Sequence, residues 1–256
     1  MDWFRRDFDH PAYFEIYRDK EAEARIEGPG LARLLGLPRG SRVLDLPCGW
    51  GRLRPALEAA GHQVVGGDLS MLNLRRHRQE FPGPCVRLDL RRLPFRDRCA
   101  DGILCAYTSW GYFPSAGENL SQLQEFARVL APGGVLVLDL AGRDRLWRDL
   151  RRAGPGWRDV GGRYRERVRP SADGRRVLAD RIIQGTWDGV RRAVRFRHDI
   201  WVPSDPEVRS ALETAGLCLD QAFGGVDGAP WSADAERWIY RSRKAPGPLA
   251  GARVDR

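Results

Sequence analysis

Residues 42–52, RVLDLPCGWGR, decide how the rest of the chain is read. Val43, Leu44 and Leu46 are the apolar positions of a short buried strand. A glycine loop follows, and the spacing predicts a helix opening at about Gly51. Gly49 and Gly51 let backbone approach a ligand with no Cβ in the way. In a doubly wound sheet such a loop lies beyond the carboxyl end of the first strand, where ligands bind. Asp45 stands near that strand end, and a carboxylate there repels a pyrophosphate and suits a ligand with a positive centre. The full G-x-G-x-x-G is absent: Pro47 takes its first glycine position, and Leu53 and Arg54 offer no third. A plain strand–turn–helix with no ligand remains open on so short a motif.

Working outward, Leu53, Ala56, Leu57 and Ala60 form one helical face, with Gly61 as a stop. QVVGGDLS, 63–70, reads as a second strand ending at Asp68, which lies 19 residues after Gly49. That is near the roughly 20-residue offset at which an acidic residue reaches a ribose hydroxyl pair. Together these features favour S-adenosylmethionine over a nicotinamide or flavin dinucleotide. Ser70 suits the N-cap of the next helix. CVRLDL, 85–90, is a third strand, and Asp89 near its end either accepts from an exocyclic amine or is a solvated strand-end carboxylate. ADGILCAYT, 100–108, is a fourth, and runs into SWGYF. Tyr107, Thr108, Ser109, Trp110, Tyr112 and Phe113 thus fall at the same carboxyl edge. An amphipathic helix through Leu120, Leu123, Phe126 and Leu130, a turn at APGG (131–134) and the apolar run VLVLDLA complete the alternation. Strands alternating with helices over 42–141 mean α/β with a mostly parallel sheet.

Ahead of this core, aromatics crowd the first 17 residues, and from Ala12 the spacing is helical to an expected stop at Gly28-Pro29, with a second short helix at 31–35. This segment either packs on the sheet or covers the ligand. Beyond Arg143, strand-like alternation at 161–169, 176–187 and 193–201 predicts an inserted antiparallel sheet of about three strands. A helix over 206–215, capped by Ser204 or Asp205, and strands at 217–223 and 236–244 resume the α/β pattern. The expected organisation is an N-terminal cover (1–41), a core (42–142 and 203–245), an inserted β lid (143–202) and a disordered tail (246–256).

The net charge is +9, and all but two of the 43 basic residues are arginine, the lysines being Lys20 and Lys244. The arginines are scattered rather than clustered with aromatics, so a general bias toward arginine is favoured over a nucleic-acid face. The five cysteines form no C-x-x-C and no Cys/His cluster, so no metal site is expected. No apolar run approaches the ~20 residues that span a bilayer, and MDWFRRDFDHP lacks the apolar stretch of a signal peptide. A cytoplasmic chain without a membrane partner is the expectation.

In order, VLDLPCGWGR, GGDLS, LDLRRLPF, ADGILCAYTSWGYF and ARVLAPGGVLVLDL resemble the motifs of the class I S-adenosylmethionine-dependent methyltransferases. The ending GGVDGAPWSADAERWIYRSRK is similar to the terminal hairpin of bacterial members. Pro47 departs from the family's usual glycine. The resemblance implies a seven-stranded, mostly parallel, Rossmann-like sheet with an antiparallel β insert after the fifth strand. It places Asp45, Pro47, Cys48, Gly49 and Gly51 around the methionine of the cofactor. It gives Asp68 to the ribose, Leu69 and Met71 to the adenine face, Asp89 and Leu90 to its edge, and Tyr107 to the methyl region. Arg52 either pairs with the cofactor carboxylate or starts the helix, and Tyr17-Arg18 resembles the cover of small-molecule members. The insert resembles the lid of glycine and amino-sugar N-methyltransferases. Tyr13, Trp110, Tyr112, His198 and Trp201 are the candidate acceptor-pocket residues.

The implied reaction moves a methyl group to a nitrogen or oxygen of a small-molecule acceptor by in-line displacement, which needs alignment and exclusion of water. Tyr112 and His198 are candidate bases, each with a packing role as the alternative, and Asp227 is a third that also suits a turn. Three other readings stay open: an RNA methyltransferase, supported by charge alone; a non-catalytic cofactor-binding protein; and an NAD-dependent oxidoreductase, disfavoured by Asp45 and the missing third glycine.

Overall fold

The computed structural model describes residues 2–245; the tail expected to be disordered, 246–256, lies outside them. The chain opens with α1 (Trp3–Asp7), α2 (Tyr13–Ile16) and α3 (Lys20–Leu35). The core then alternates β1 (Arg42–Asp45), α4 (Arg54–Ala59), β2 (Gln63–Asp68), α5 (Met71–Glu80), β3 (Cys85–Arg87), β4 (Ala100–Cys105), α6 (Ala116–Val129) and β5 (Leu130–Ala141). After α7 (Arg143–Ala153) come β6 (Arg158–Val160), β7 (Tyr164–Pro170), β8 (Arg176–Trp187) and β9 (Val190–Trp201). The chain returns through α8 (Asp205–Thr214), β10 (Leu217–Phe223) and β11 (Arg237–Lys244).

Seven strands form one sheet in the order β10-β11-β5-β4-β1-β2-β3. β1 to β5 are parallel, and β11 runs antiparallel between β5 and β10. The run Val135–Leu140 is buried throughout, because apolar layers cover both faces of the sheet. One layer holds Trp110, Leu123, Phe126, Val208 and Leu212; the other holds Leu31, Leu35, Leu53 and Leu57. The strand order reverses between β1 and β4, which opens a crevice at their carboxyl ends.

The second sheet, β6-β7-β8-β9, is antiparallel and has four strands rather than about three. Its inner side chains Tyr164, Ile183 and Phe196 pack with Ala12, Tyr13, Ile16 and Trp50, so the insert backs the N-terminal segment. Among the described residues no helix is long and apolar enough to cross a membrane, and no group of His, Cys, Asp or Glu is placed to hold a metal ion.

Several local expectations are corrected. Gly28-Pro29 does not end a helix: α3 runs through to Leu35, closed by Gly36. Gly28 is there for close packing, since a Cβ on it would sit 2.8 Å from the Ala56 Cβ of α4. Tertiary contact thus overrides the local breaker. α4 begins at Arg54 rather than Gly51, with Pro55 in its first turn. β3 stops at Arg87 and β4 at Cys105, because the chain turns to form the site. The APGG residues belong to the opening of β5, where the register slips from Ala100–Leu130 to Gly102–Val135. α7 carries no clear signal in the sequence: Leu146, Trp147 and Leu150 sit among five arginines, and none of its residues is fully buried.

Candidate functional site

The site begins at the loop after β1. Gly49 has φ +54, a conformation that favours glycine, and a Cβ there would meet nothing within 4 Å. Its N–H donates to Asp68 Oδ2 at 2.9 Å, and the Ser70 N–H donates to Asp68 Oδ1 at 2.8 Å. The β1 loop and the end of β2 are thereby tied together by one carboxylate. Gly51 serves differently: its φ is +85, and a Cβ would lie 2.3 Å from the His77 ring. It is required by packing against α5 and does not line the cavity. Ser70 caps α5 by accepting from the Asn73 N–H.

A cavity of about 100 Å³ occupies the crevice. Its floor is Pro47, Cys48, Gly49 and Asp68; Leu69, Asp89 and Leu90 form one end, and Arg52, Leu53 and Tyr107 the other. Ser109, Tyr112 and Phe113 come from the loop after β4, while Phe4, Phe8, Tyr13 and Tyr17 close it from above. The mix of apolar walls with few polar groups suits a small-molecule ligand.

Burial raises the Asp68 carboxyl to about 6, against the two N–H bonds that favour its charge. Burial likewise raises Asp45 to about 7, with Arg52 opposing and Asp68 reinforcing the shift. Asp45 lies beneath the loop and is 2% exposed, so it acts on the cavity through its field rather than as a wall. Partial burial also disfavours the Asp89 charge, but Arg91 at 2.8 Å and Arg5 at 2.6 Å outweigh it and hold the carboxyl below its ordinary value.

At the opposite end the Arg52 guanidinium stacks between the Trp50 ring at 4.8 Å and the Tyr107 ring at 4.4 Å, and its buried Nε has no partner. Tyr107 and Thr108 both take left-handed backbone, φ +59 and +57. Such residues cost roughly 1–3 kcal/mol each and persist only where surroundings enforce them. Asp139, at the end of β5, does the enforcing: its Oδ2 accepts the Tyr107 N–H at 2.6 Å and its carbonyl oxygen accepts the Thr108 N–H at 2.9 Å. A second, polar cleft adjoins here, sharing Tyr17, Arg52 and Tyr107 with the cavity.

Some expected site residues lie elsewhere. Trp110 is fully buried in the core, with its indole N–H donating to the Asn119 carbonyl at 2.8 Å, so it cannot line an acceptor pocket. Trp201 packs on Trp110 at 5.1 Å and faces a separate surface cleft. His198 is sealed behind the cover, stacked on Trp3 at 4.6 Å and bonded through Nδ1 to Arg181 at 2.9 Å. Burial, with Arg181 adding, pushes its imidazole well below the ordinary value. Arg18 turns outward and pairs with Glu15. Met71 opens α5 outside the cavity walls. Asp227 accepts the Ala229 N–H at 3.1 Å, a turn-forming bond. Tyr13 and Tyr112 do face the cavity, and burial pushes both phenols upward.

Sequence reasoning missed Phe4 and Phe8 as walls, and Asp139, Arg237 and Glu27 as supports. Phe4 and Phe8 carried no motif. Asp139 did carry a signal, being a lone carboxylate inside the apolar run VLVLDLA.

Residues 44–138 match the family model described as Methyltransferase domain. A putative methyltransferase YqeM of Bacillus subtilis is 31% identical over 108 residues, covering 41% of this chain and 44% of that protein. A demethylmenaquinone methyltransferase of Mycobacterium sp. is 36% identical over 104 residues, covering 41% and 43%. The match thus spans less than half the length of these curated relatives. Among solved structures, an S-adenosylmethionine-dependent methyltransferase from Clostridium acetobutylicum aligns with TM-score 0.74 and 18% identity over 91% of this chain and 98% of that one. The sugar N-methyltransferase KedS8 from Streptoalloteichus sp. aligns with TM-score 0.71 and 20% identity over 91% and 92%. These two likenesses establish the fold, and the domain match covers the elements that build the cavity floor. Over residues 44–138 the chain carries a methyltransferase domain, and its fold is that of solved S-adenosylmethionine-dependent methyltransferases.

Proposed function

We propose that the protein transfers the methyl group of S-adenosylmethionine to a nitrogen or oxygen of a small-molecule acceptor. The observation that carries this reading is the cavity itself, where Asp68 and the glycine loop face an aromatic cover. Its donors and acceptors fit the cofactor: Asp68 would take the ribose hydroxyls, Leu69 and Leu90 the adenine with Asp89 at its edge. The unpartnered Nε of Arg52 would serve the cofactor's carboxylate. When bound, S-adenosylmethionine supplies a methyl group on a positively charged sulfur, open to in-line displacement. Gly49 leaves the floor clear for it. Phe8, Tyr13 and Tyr112 line the cavity and exclude water, and aromatic faces turned toward a positive centre would favour it.

Tyr112, with its phenol pushed upward by burial, stays protonated near neutrality and orients an acceptor rather than taking its proton. His198 is walled off by Trp3 and Phe8. The chain's own contribution is therefore alignment and dryness. The N-terminal segment 1–41 acts as the cover and the insert 143–202 as the brace behind it, a division supported by their shared apolar cluster. The relatives named above for demethylmenaquinone and for a sugar nitrogen favour a small acceptor over RNA.

Thermal denaturation with S-adenosylmethionine, S-adenosylhomocysteine and NAD tests the reading. A ligand at 100 times its dissociation constant adds about 2.7 kcal/mol of stability. The two adenosyl compounds are expected to raise the melting temperature and NAD to leave it unchanged; a rise with NAD alone would overturn the cofactor assignment.

A further inference from the structure

We infer that Asp139, clamped to Arg237, is a positioning residue for the cofactor site: it sets Tyr107 and, through Tyr107, the guanidinium of Arg52. The inference rests on the cofactor reading above. Asp139 is 1% exposed and is not a wall of the central cavity. Its carboxylate accepts two bonds from Arg237, one of them at 2.8 Å from Nε, besides the Tyr107 N–H. Arg237 is fixed from the far side by Glu27 of α3 at 2.6 Å. α3, β5, β11 and the loop after β4 are therefore brought to register by one buried carboxylate.

What this clamp holds is the pair Tyr107-Thr108, two consecutive non-glycine residues in left-handed backbone. Thr108 adds its own tie, its Oγ1 accepting the Ala141 N–H at 2.8 Å. Without the Asp139 carboxylate the Tyr107 N–H loses its acceptor, and relaxation toward ordinary φ is then opposed by the Thr108 ties and by the Arg237 guanidinium over the ring at 5.2 Å. That relaxation would swing the ring away from Arg52, 4.4 Å off, and leave the guanidinium stacked on Trp50 alone. Arg52 carries an unpartnered buried donor at this end of the cavity, as does the Tyr107 hydroxyl, so the aim of its guanidinium bears on how an anionic group is met there.

The test is a double-mutant cycle read by calorimetric titration of S-adenosylhomocysteine into the full chain. Asp139→Asn keeps the shape and removes the charge, and is expected to weaken binding about tenfold. Tyr107→Ala is expected to weaken it by at least as much. If Asp139 works through Tyr107, the double variant binds no more weakly than Tyr107→Ala; independent damage would multiply to about a hundredfold. Arg237→Lys keeps the charge but loses the fork, and reads the same relay should Asp139→Asn fail to fold; a loss of several-fold is expected. Unchanged affinity in a folded Asp139→Asn or Arg237→Lys chain, or multiplying effects in the cycle, would overturn the relay alone. A wild-type chain that binds no S-adenosylhomocysteine would sink the cofactor reading and this inference with it.

Discussion

The two ends of the cavity are built in opposite ways. At the Asp68 end the partners are close in sequence: Ser70 is two residues away and Gly49 is 19, within a single strand–helix–strand unit. At the Tyr107 end they are distant. Asp139 is 32 residues from Tyr107, Arg237 is 98 from Asp139, and Glu27 is 210 from Arg237. The first end can be recognised by a motif because loop and strand are consecutive. The second exists only once β11 has entered the sheet beside β5 and α3 has packed across it. The Asp68 end is thus built locally, while the setting of the other end depends on the completed fold.

The contrast can be broken most directly at Asp68. Asp68→Asn keeps one acceptor oxygen and removes the charge, and is expected to weaken S-adenosylmethionine binding by about 2–3 kcal/mol, roughly 30- to 150-fold. Titration calorimetry reads it, and an effect below threefold would mean that the local end does not hold the ligand.

A smaller effect follows from pH. Asp68 is raised to about 6 and Asp45 to about 7, so the folded chain keeps protons that the unfolded chain has released above about pH 4. These groups therefore make the ligand-free protein lose stability as pH rises from about 4 to 7. Cofactor binding should run the other way, because hydroxyl donors and a positive sulfur prefer the ionised carboxylate. From pH 7 to pH 5 affinity is expected to fall about tenfold. Melting curves and titrations over one pH series would show the opposed slopes, and parallel slopes would remove Asp68 from the ligand's direct partners.

The smallest expected effect belongs to Arg18, whose side chain is 60% exposed and paired with Glu15. Arg18→Ala should change stability by no more than about 0.5 kcal/mol and leave cofactor affinity untouched. A tenfold loss of affinity would show that the cover rearranges around the ligand and brings Arg18 inward.

Much of the fold was legible because its signals are local. Buried parallel strands read as apolar runs, as in 135–140, and Ser70 and Ser204 announced their helices by type and position. Where a signal was overridden, the cause was tertiary. Pro29 sits inside α3, and α7 escaped notice because arginines interrupt its apolar stripe. The acceptor-side residues were the least legible. Trp110, His198 and Trp201 share the right neighbourhood in sequence, yet the first two are turned into packed interiors and the third onto another surface. Side-chain direction at a strand end depends on the turn that follows, and no periodicity encodes it.

Taken alone, the order of residues determined an α/β sheet with an antiparallel insert, the glycine loop at Gly49 and the acidic residue at Asp68. Each is a short-range pattern whose physics acts within one strand, turn or helix. Only the tertiary structure decided which aromatic rings cover the cavity, that Gly51 packs closely on the His77 ring, and that Asp139 accepts the Tyr107 N–H. Those facts are contacts between segments far apart in the chain, and a contact of that kind has no sequence spacing of its own.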